Sequence, residues 1–422
     1  MKLVFGCGIS GLAAAQLLKA KKEPVALTDD TPPSPDLLLR LQSLDISFIS
    51  PKDVSTSTAY EEIIVSPGIS FRHPWLLEAK AKEVLLTSEI VLALRYYTGS
   101  ILSVTGTNGK STTVMMIEHI LRKQGIDAKA AGNIGIPLSQ VVLSTPQPEV
   151  LVLELSSYQL HWSTSIASQV ALFCNFSFDH IGQHQTEKNY FLAKTKVFDS
   201  PAPNFVGFIT PEIQSLARQW SISLSPSLRV IHTESFPSSL LASANLKEAH
   251  NQQNGIYAAT ACAAFLPNSS TEDLLPSLRD FSYLPHRFER LGQIADTLVI
   301  NDSKSTTVAS TLCALESAPG PCILFLGGIG KGESFAPLLL HKTKIRRVYT
   351  FGKTGPQITE DLSMCKPLAF RTLQEALQAF LSVPIEPGGS VLFSPGCASF
   401  DEFANFEARG LFFAETIAPF LT

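Results

Sequence analysis

The chain has 422 residues, 45% hydrophobic and 17% charged, a balance that suits a packed globular protein and excludes a disordered one. Its formal net charge of −4, from 33 basic against 37 acidic side chains, excludes a broad duplex-binding face, since neutralising phosphates takes an excess of Lys and Arg; no nucleic acid partner is expected. The seven cysteines (Cys7, Cys174, Cys262, Cys313, Cys322, Cys365 and Cys397) lack C-x-x-C spacing, which speaks against zinc or a disulfide framework and for a reducing, cytoplasmic setting.

No run approaches the roughly 18 apolar residues needed to cross a bilayer, so no membrane partner is expected. The apolar stretch through Leu18 resembles a secretion signal, but the glycines inside it argue otherwise. Length predicts about two to four domains. The patterning divides the chain at 1–93, 94–284 and 285–422.

The first segment opens on a strand, Leu3 to Phe5, then Gly6-Cys7-Gly8-Ile9-Ser10-Gly11 and a helical pattern from Leu12 to Lys19, the start of a βαβ unit. A second strand, Val25 to Thr28, ends at Asp29 and Asp30, about where a Rossmann-type fold sets an acid against a ribose. Pro32-Pro33-Ser34-Pro35 breaks the pattern, and Ile63 to Val65 runs into Ser66-Pro67-Gly68. The glycine turn by itself serves a dinucleotide or a UDP-sugar equally well.

The second segment starts with the strand Ile101 to Thr105, followed by Gly106-Thr107-Asn108-Gly109-Lys110-Ser111-Thr112 and a helix closing at Gly125. This loop departs from G-x-x-x-x-G-K-[ST], because Val104 stands where the first glycine belongs. Its physics survives: small residues let backbone N–H groups approach phosphate oxygens, Lys110 supplies a point charge, and Ser111 or Thr112 can ligate Mg²⁺. The bland alternative is a strand-to-helix turn with an incidental lysine.

Strands at Val150 to Leu153 and Val170 to Phe173 end at Glu154 and shortly before Asp179-His180. Parallel strands deliver such residues to one cleft, where a carboxylate can hold Mg²⁺. A solvated strand-end acid and a structural histidine are the alternatives. Pro201 to Ser239, rich in Ser and Pro, is expected to be irregular, and Glu248 to Phe265 helical.

The third segment carries strands at Thr297 to Ile300, Cys322 to Leu326, Arg347 to Phe351 and Val391 to Phe393. Asn301-Asp302-Ser303-Lys304-Ser305-Thr306-Thr307 is unusually polar after an apolar strand, which favours a site. Gly327-Gly328-Ile329-Gly330-Lys331-Gly332 is a ligand loop or a flexible turn.

Taken in order, these blocks, with Gly132-Asn133-Ile134-Gly135, Glu154-Leu155-Ser156-Ser157, Ala193-Lys194, His250-Asn251, Pro285-His286-Arg287-Phe288 and Ser394-Pro395-Gly396-Cys397-Ala398-Ser399, resemble the Mur ligases of peptidoglycan synthesis along essentially the whole chain. Ser111-Thr112 after Gly-Lys looks like the D-glutamate-adding branch, and the Asp-Asn-Pro-Arg of the diaminopimelate-adding branch is missing. The resemblance implies an α/β fold of three domains: Rossmann-like, then a P-loop ATPase with a mainly parallel sheet, then Rossmann-like again. It implies an ATP-dependent carboxylate–amine ligase that joins D-glutamate to UDP-N-acetylmuramoyl-L-alanine through an acyl phosphate, and a monomer is expected.

By the same resemblance, Lys110, Glu154, His180 and Lys194 are catalytic, with one Mg²⁺ near Ser111 and Glu154 and a second near His180 and Lys194. An ammonium donates only and cannot ligate a metal, and in the family the matching lysine is carbamylated, which makes it a hard anionic ligand. Gly106 to Thr112, Asn254, Arg287, Asp302 and Lys304 would hold the nucleotide; Ser10, Asp29, Asp30, Asn133, Ser156 and His180 the UDP-linked substrate; Thr306, Lys331, Ser399 and Phe406 the amino acid. Since these groups fall on different segments, closure around ATP and substrate is expected. The competing readings are a sister Mur or folate-type polyglutamyl ligase, an NAD-dependent oxidoreductase built on Gly6 to Gly11, and a nucleotide-binding protein without turnover.

Overall fold

A computed structural model describes residues 1–54, 60–177, 181–244, 246 and 248–422. The expected α/β class forms. The first sheet holds β1 (Lys2–Phe5), β2 (Val25–Thr28), β3 (Ser47–Phe48), β4 (Glu62–Val65) and β5 (Leu85–Ser88) in the order β3-β2-β1-β4-β5, all parallel. Leu3, Val4, Ile63 and Ile64 are buried whichever face they point to, as continuous apolar runs in a doubly covered parallel sheet must be.

The second sheet holds β6 (Ser100–Thr105), β7 (Ala128–Gly132), β8 (Val150–Glu154), β9 (Val170–Phe173), β10 (Val206–Ile209) and β11 (Arg229–Val230), ordered β11-β10-β9-β6-β8-β7 and parallel throughout. Here one expectation fails: the Ser- and Pro-rich stretch from Pro201 to Ser239 is not irregular, but supplies β10, the helix Pro211–Gln219 and β11. The helix starts on a Thr210 cap with Pro211 in its first turn and buries Ile213 and Ala217. β10 exists because Phe208 and Ile209 pair with Leu172 and Phe173 of β9, a partnership that local composition does not reveal.

The third sheet holds β12 (Glu289–Ile294), β13 (Thr297–Asn301), β14 (Cys322–Gly327), β15 (Ile345–Phe351), β16 (Leu368–Ala369) and β17 (Ser390–Phe393), ordered β12-β13-β17-β14-β15-β16, with only the β12–β13 pair antiparallel. Successive residues feed opposite faces: Ile300, Leu324 and Leu392 enter one apolar cluster, Val299, Phe325 and Val391 the other.

By contact the chain divides into two compact units, Met1–Lys247 with Asn251–Phe281, and Glu248–His250 with Ser282–Thr422. The first unit contains two sheets because they share a core. Leu12 and Leu18 of the helix Ile9–Ala20, Ile90, Leu92 and Ala93 of the helix Glu89–Leu94, and Leu138, Val141 and Val142 of the helix Leu138–Leu143 belong to one buried cluster. Burial of each large aliphatic side chain contributes about 1.5–3 kcal/mol. Among the described residues no helix is long and apolar enough to cross a membrane.

Candidate active site

In the first unit the carboxyl ends of β1, β2 and β4 carry the expected glycine turn, Asp29 and Ser66. Glycine at position 11 is a steric necessity, because a Cβ there would lie 1.8 Å from the Gly6 carbonyl oxygen. Asp29 is held by the Cys7 N–H (2.6 Å) and by both the N–H and hydroxyl of Thr31 (3.0 Å each). Asp30 is exposed and pairs with His73 Nε2 at 3.0 Å. Ser10 lies in the first turn of the helix Ile9–Ala20, half-buried.

The loop after β6 is the better-defined feature. Gly109, at φ +73°, turns the chain into the helix Lys110–Lys123, whose first N–H groups have no partners within the helix and so suit a phosphate. Lys110 Nζ donates to the Thr107 carbonyl at 2.8 Å. Ser111 Oγ donates to Glu154 Oε2 at 2.5 Å, while Asn133 Nδ2 donates to Glu154 Oε1 at 2.9 Å. Glu154 is the last residue of β8 and Asn133 follows β7, so neighbouring parallel strands bring the three together, and Glu154 is only 2% exposed.

Lys194, near the end of the helix Glu187–Thr195, is 1% exposed, donates to the Gly106 carbonyl at 2.5 Å and lies 4.6 Å from the centre of the Tyr190 ring. A residue distant in sequence therefore reaches the loop between β6 and the helix Lys110–Lys123. Asn254 is buried against the same loop, with Oδ1 accepting from the Thr113 hydroxyl at 3.3 Å. Ser156 caps the helix Ser157–His161 through a capping box with Gln159. Asp179 and His180 lie outside the described residues.

One residue of this loop's support escaped the sequence reading. Asn175, just beyond β9, accepts from the N–H groups of Thr107 (3.1 Å) and Asn108 (2.9 Å) and donates to the Asn108 carbonyl (2.9 Å). Its sequence signal is a polar residue at the carboxyl end of a parallel strand.

The second unit gathers its own cluster at the ends of β13, β14 and β17. Asp302, 6% exposed, accepts from Ser305 Oγ (2.6 Å), Ser394 Oγ (2.7 Å) and the Phe288 N–H (3.1 Å), and burial pushes its carboxyl up to about 6 despite those bonds. Lys304 Nζ lies 4.7 Å from the centre of the Phe406 ring, the first residue of the helix Phe406–Ile417. Arg287 and Thr306 are half-buried, Lys331 is exposed and Ser399 is buried. The loop bearing Lys331 is not a loose turn: Ile329 and Ala398 exchange backbone hydrogen bonds (2.8 and 2.9 Å), and the Gly330 N–H donates to Thr354 Oγ1 at 2.7 Å.

Arg409 also went unread. It is 1% exposed, and its guanidinium donates to Ser303 Oγ (3.1 Å), the Ser303 carbonyl (2.8 Å) and the Cys397 carbonyl (3.0 Å), tying the β13 and β17 loops together. Burial lowers its pKa to about 10, which leaves it a cation at neutral pH.

Among the described residues no three His, Cys, Asp or Glu side chains form a metal-holding group. Ser111 and Glu154 nevertheless offer adjacent hard oxygen donors, which suits Mg²⁺, a cation commonly held by one or two carboxylates together with phosphate oxygens and water.

Comparison with known proteins adds an independent line. Residues 1–88 match the family described as Mur ligase MurD-like, N-terminal domain, and residues 104–262 match the Mur ligase middle domain. The UDP-N-acetylmuramoylalanine–D-glutamate ligase of Hydrogenobaculum sp. (strain Y04AAS1) is 34% identical, with 98% of each chain covered. That of Oenococcus oeni is 32% identical, covering 98% of this chain and 96% of the relative. Among solved structures, the UDP-N-acetylmuramate–alanine ligase of Thermotoga maritima matches with a TM-score of 0.58 at 16% identity over 99% of both chains, a likeness of fold. The folylpolyglutamate synthase of Mycobacterium tuberculosis, at a TM-score of 0.56 and 13% identity, covers 77% of this chain and 93% of its own.

Proposed function

We propose a function from one premise: this chain belongs to the Mur ligase family. It is an ATP-dependent ligase, and its reaction is the addition of D-glutamate to UDP-N-acetylmuramoyl-L-alanine, a cytoplasmic step of peptidoglycan synthesis. The observation that carries the chemistry is the Ser111–Glu154–Asn133 line beside the phosphate loop, with Lys194 buried at the loop's other end.

The substrate carboxylate attacks the γ-phosphate of ATP, giving an acyl phosphate and ADP; the amine of D-glutamate then attacks the acyl carbon and phosphate leaves. Two anions approach each other in the first step, so positive charge and N–H donors must be in place beforehand. The Lys110 ammonium and the first N–H groups of its helix supply them, while Asn175 holds Thr107 and Asn108 in the loop's conformation. Mg²⁺ would supply further positive charge against the phosphate oxygens. Ser111 and Glu154 would hold one ion, and His180 and Lys194 a second.

Lys194 is read as carbamylated in the working enzyme. Its burial and its place at the phosphate loop support this, because an ammonium there could only donate hydrogen bonds. Ser10, Asp29, Asp30, Asn133 and Ser156 serve the UDP-linked substrate, with Asn254, Arg287, Asp302 and Lys304 serving the nucleotide. Thr306, Lys331, Ser399 and Phe406 serve D-glutamate, whose two carboxylates call for a cation and hydroxyl donors. The divisions 1–93, 94–284 and 285–422 are the working domains, and the enzyme is a monomer without nucleic-acid or membrane partners.

The test is phosphate release from ATP with UDP-N-acetylmuramoyl-L-alanine and each candidate amino acid in turn. Release with D-glutamate only is expected, and Lys110→Ala and Lys194→Ala abolish it, with added acetate rescuing only the second. Release with a different amino acid moves the chain to a sister reaction, and a Lys194→Ala variant as active as the parent removes the carbamate.

A further inference from the structure

Two successive residues at the end of the first sheet's last strand reach into the second sheet's loops. Ser88, which closes β5, shares a buried Oγ–Oγ hydrogen bond of 3.0 Å with Ser163, whose hydroxyl also bonds the Gln159 carbonyl at 2.8 Å. Glu89, the next residue, is 3% exposed, and its Oε1 accepts from the Ser139 N–H at 2.6 Å. Ser139 lies in the first turn of the helix Leu138–Leu143, directly after the loop 132–137. Asn133 in that loop is bonded to Glu154 through both its backbone N–H (2.9 Å) and its side chain (2.9 Å).

Glu89 stands beside an apolar cluster that contains Ile90, Leu92 and Leu138. An aliphatic side chain in its place would add to that cluster, whereas a buried carboxylate carries a desolvation cost, and burial raises its pKa. Tight packing alone therefore gives no reason for an acid here. What the carboxylate does is cap a helix of the second sheet from the first, across a junction that a long substrate has to span.

We propose that Glu89 is a positioning residue for the UDP-linked substrate: by accepting the Ser139 N–H it sets the spacing between the first sheet's glycine turn and the Asn133–Glu154 pair. This rests on the function proposed above. A substrate held at its diphosphate by one sheet and reacting at its carboxylate on the other tolerates little error, since a displacement of about 1 Å can cost up to about a hundredfold in rate.

The experiment compares the parent with Glu89→Asp, which keeps the charge but shortens the reach, and with Glu89→Gln, whose amide oxygen can still accept from Ser139. Kd for UDP-N-acetylmuramoyl-L-alanine is measured by calorimetry, KM for each substrate by phosphate release, and folding by thermal melt. In Glu89→Asp, Kd and KM for the UDP-substrate are expected to rise about tenfold, roughly the loss of one hydrogen bond. KM for ATP stays within about twofold of the parent. Glu89→Gln restores the parent's values.

Equal rises in every KM, or a lowered melting temperature with parental Kd and KM, overturn the positioning role and leave Glu89 a structural residue. A parent that releases no phosphate with D-glutamate overturns the function itself, and the inference with it. A working parent whose Asp variant binds the UDP-substrate normally overturns the inference alone.

Discussion

The Ser111 hydroxyl and the Glu154 carboxylate meet at 2.5 Å, 43 residues apart in sequence, one in the first turn of a helix and the other ending a strand. Glu154 thereby receives donors on both oxygens, from Ser111 and from Asn133. A Glu154→Gln substitution keeps the size but loses the charge that would attract a divalent cation. Phosphate release is expected to fall at least about a hundredfold at ordinary Mg²⁺ and to recover partly as Mg²⁺ is raised. A variant with the parent's Mg²⁺ titration curve would remove Glu154 from cation binding.

Gly109 combines a φ of +73° with a neighbour that leaves no room: a Cβ would lie 2.5 Å from Asn254 Oδ1. Gly109→Ala therefore meets two separate penalties, about 1–2 kcal/mol of left-handed backbone strain and a clash. Its melting temperature and ATP affinity should both drop. Adding Asn254→Ala should relieve the clash but not the strain, so melting of the double variant should fall between parent and single variant. A double variant no more stable than Gly109→Ala would show that the clash was already relaxed by side-chain movement.

Among the described residues Arg409 is the only one of the largest fully buried side chains to carry a guanidinium, and its removal strands carbonyl groups at Ser303 and Cys397. Leaving buried acceptors unpaired costs about 1–3 kcal/mol each. Arg409→Met should therefore destabilise the unit containing Ser303 and Cys397 by about 3 kcal/mol or more. Lys at this position has one terminal nitrogen and cannot serve both loops, so Arg409→Lys should recover only part of the loss. Denaturant unfolding followed by Trp-independent probes such as circular dichroism reads both values.

Asp302 predicts a pH dependence of stability. Its folded pKa is raised to about 6 by burial, so the native state holds the proton over a range where the unfolded chain has released it. Its contribution is full below the ordinary aspartate range, is lost as pH rises through about 6, and amounts to about 3 kcal/mol for a shift of this size. Thermal melts of the parent between pH 4 and pH 7 should slope downward more steeply than those of Asp302→Asn, which has no proton to lose. Parallel slopes would mean that Asp302 ionises in the fold as it does in the unfolded chain.

Much of the site could be read from local order alone. A strand followed by a glycine loop, Lys110-Ser111 and a helix is legible as it stands, and the acid that ends Val150–Glu154 does meet Ser111 of that helix. Such signals are contiguous in the chain and rest on backbone geometry that few residues supply. The α/β class came from the order of strand, turn and helix signals and from the family resemblance, whereas composition excluded only a disordered chain and a broad duplex-binding face. Where pairing was remote, local order misled: Pro201 to Ser239 looked irregular, yet β9 offered a strand edge to β10, and β10 in turn offered one to β11.

What the amino-acid order determined by itself was each loop's chemistry: which residues can turn left-handed, donate to phosphate or attract a cation. What only the tertiary structure decided was who holds those loops in place. Asn175 on Thr107 and Asn108, Glu89 on Ser139 and Arg409 on Ser303 and Cys397 are side chains aimed at backbone groups far along the chain. A backbone N–H or carbonyl looks the same at every position, so nothing in the sequence marks it as a partner until the fold brings the two together.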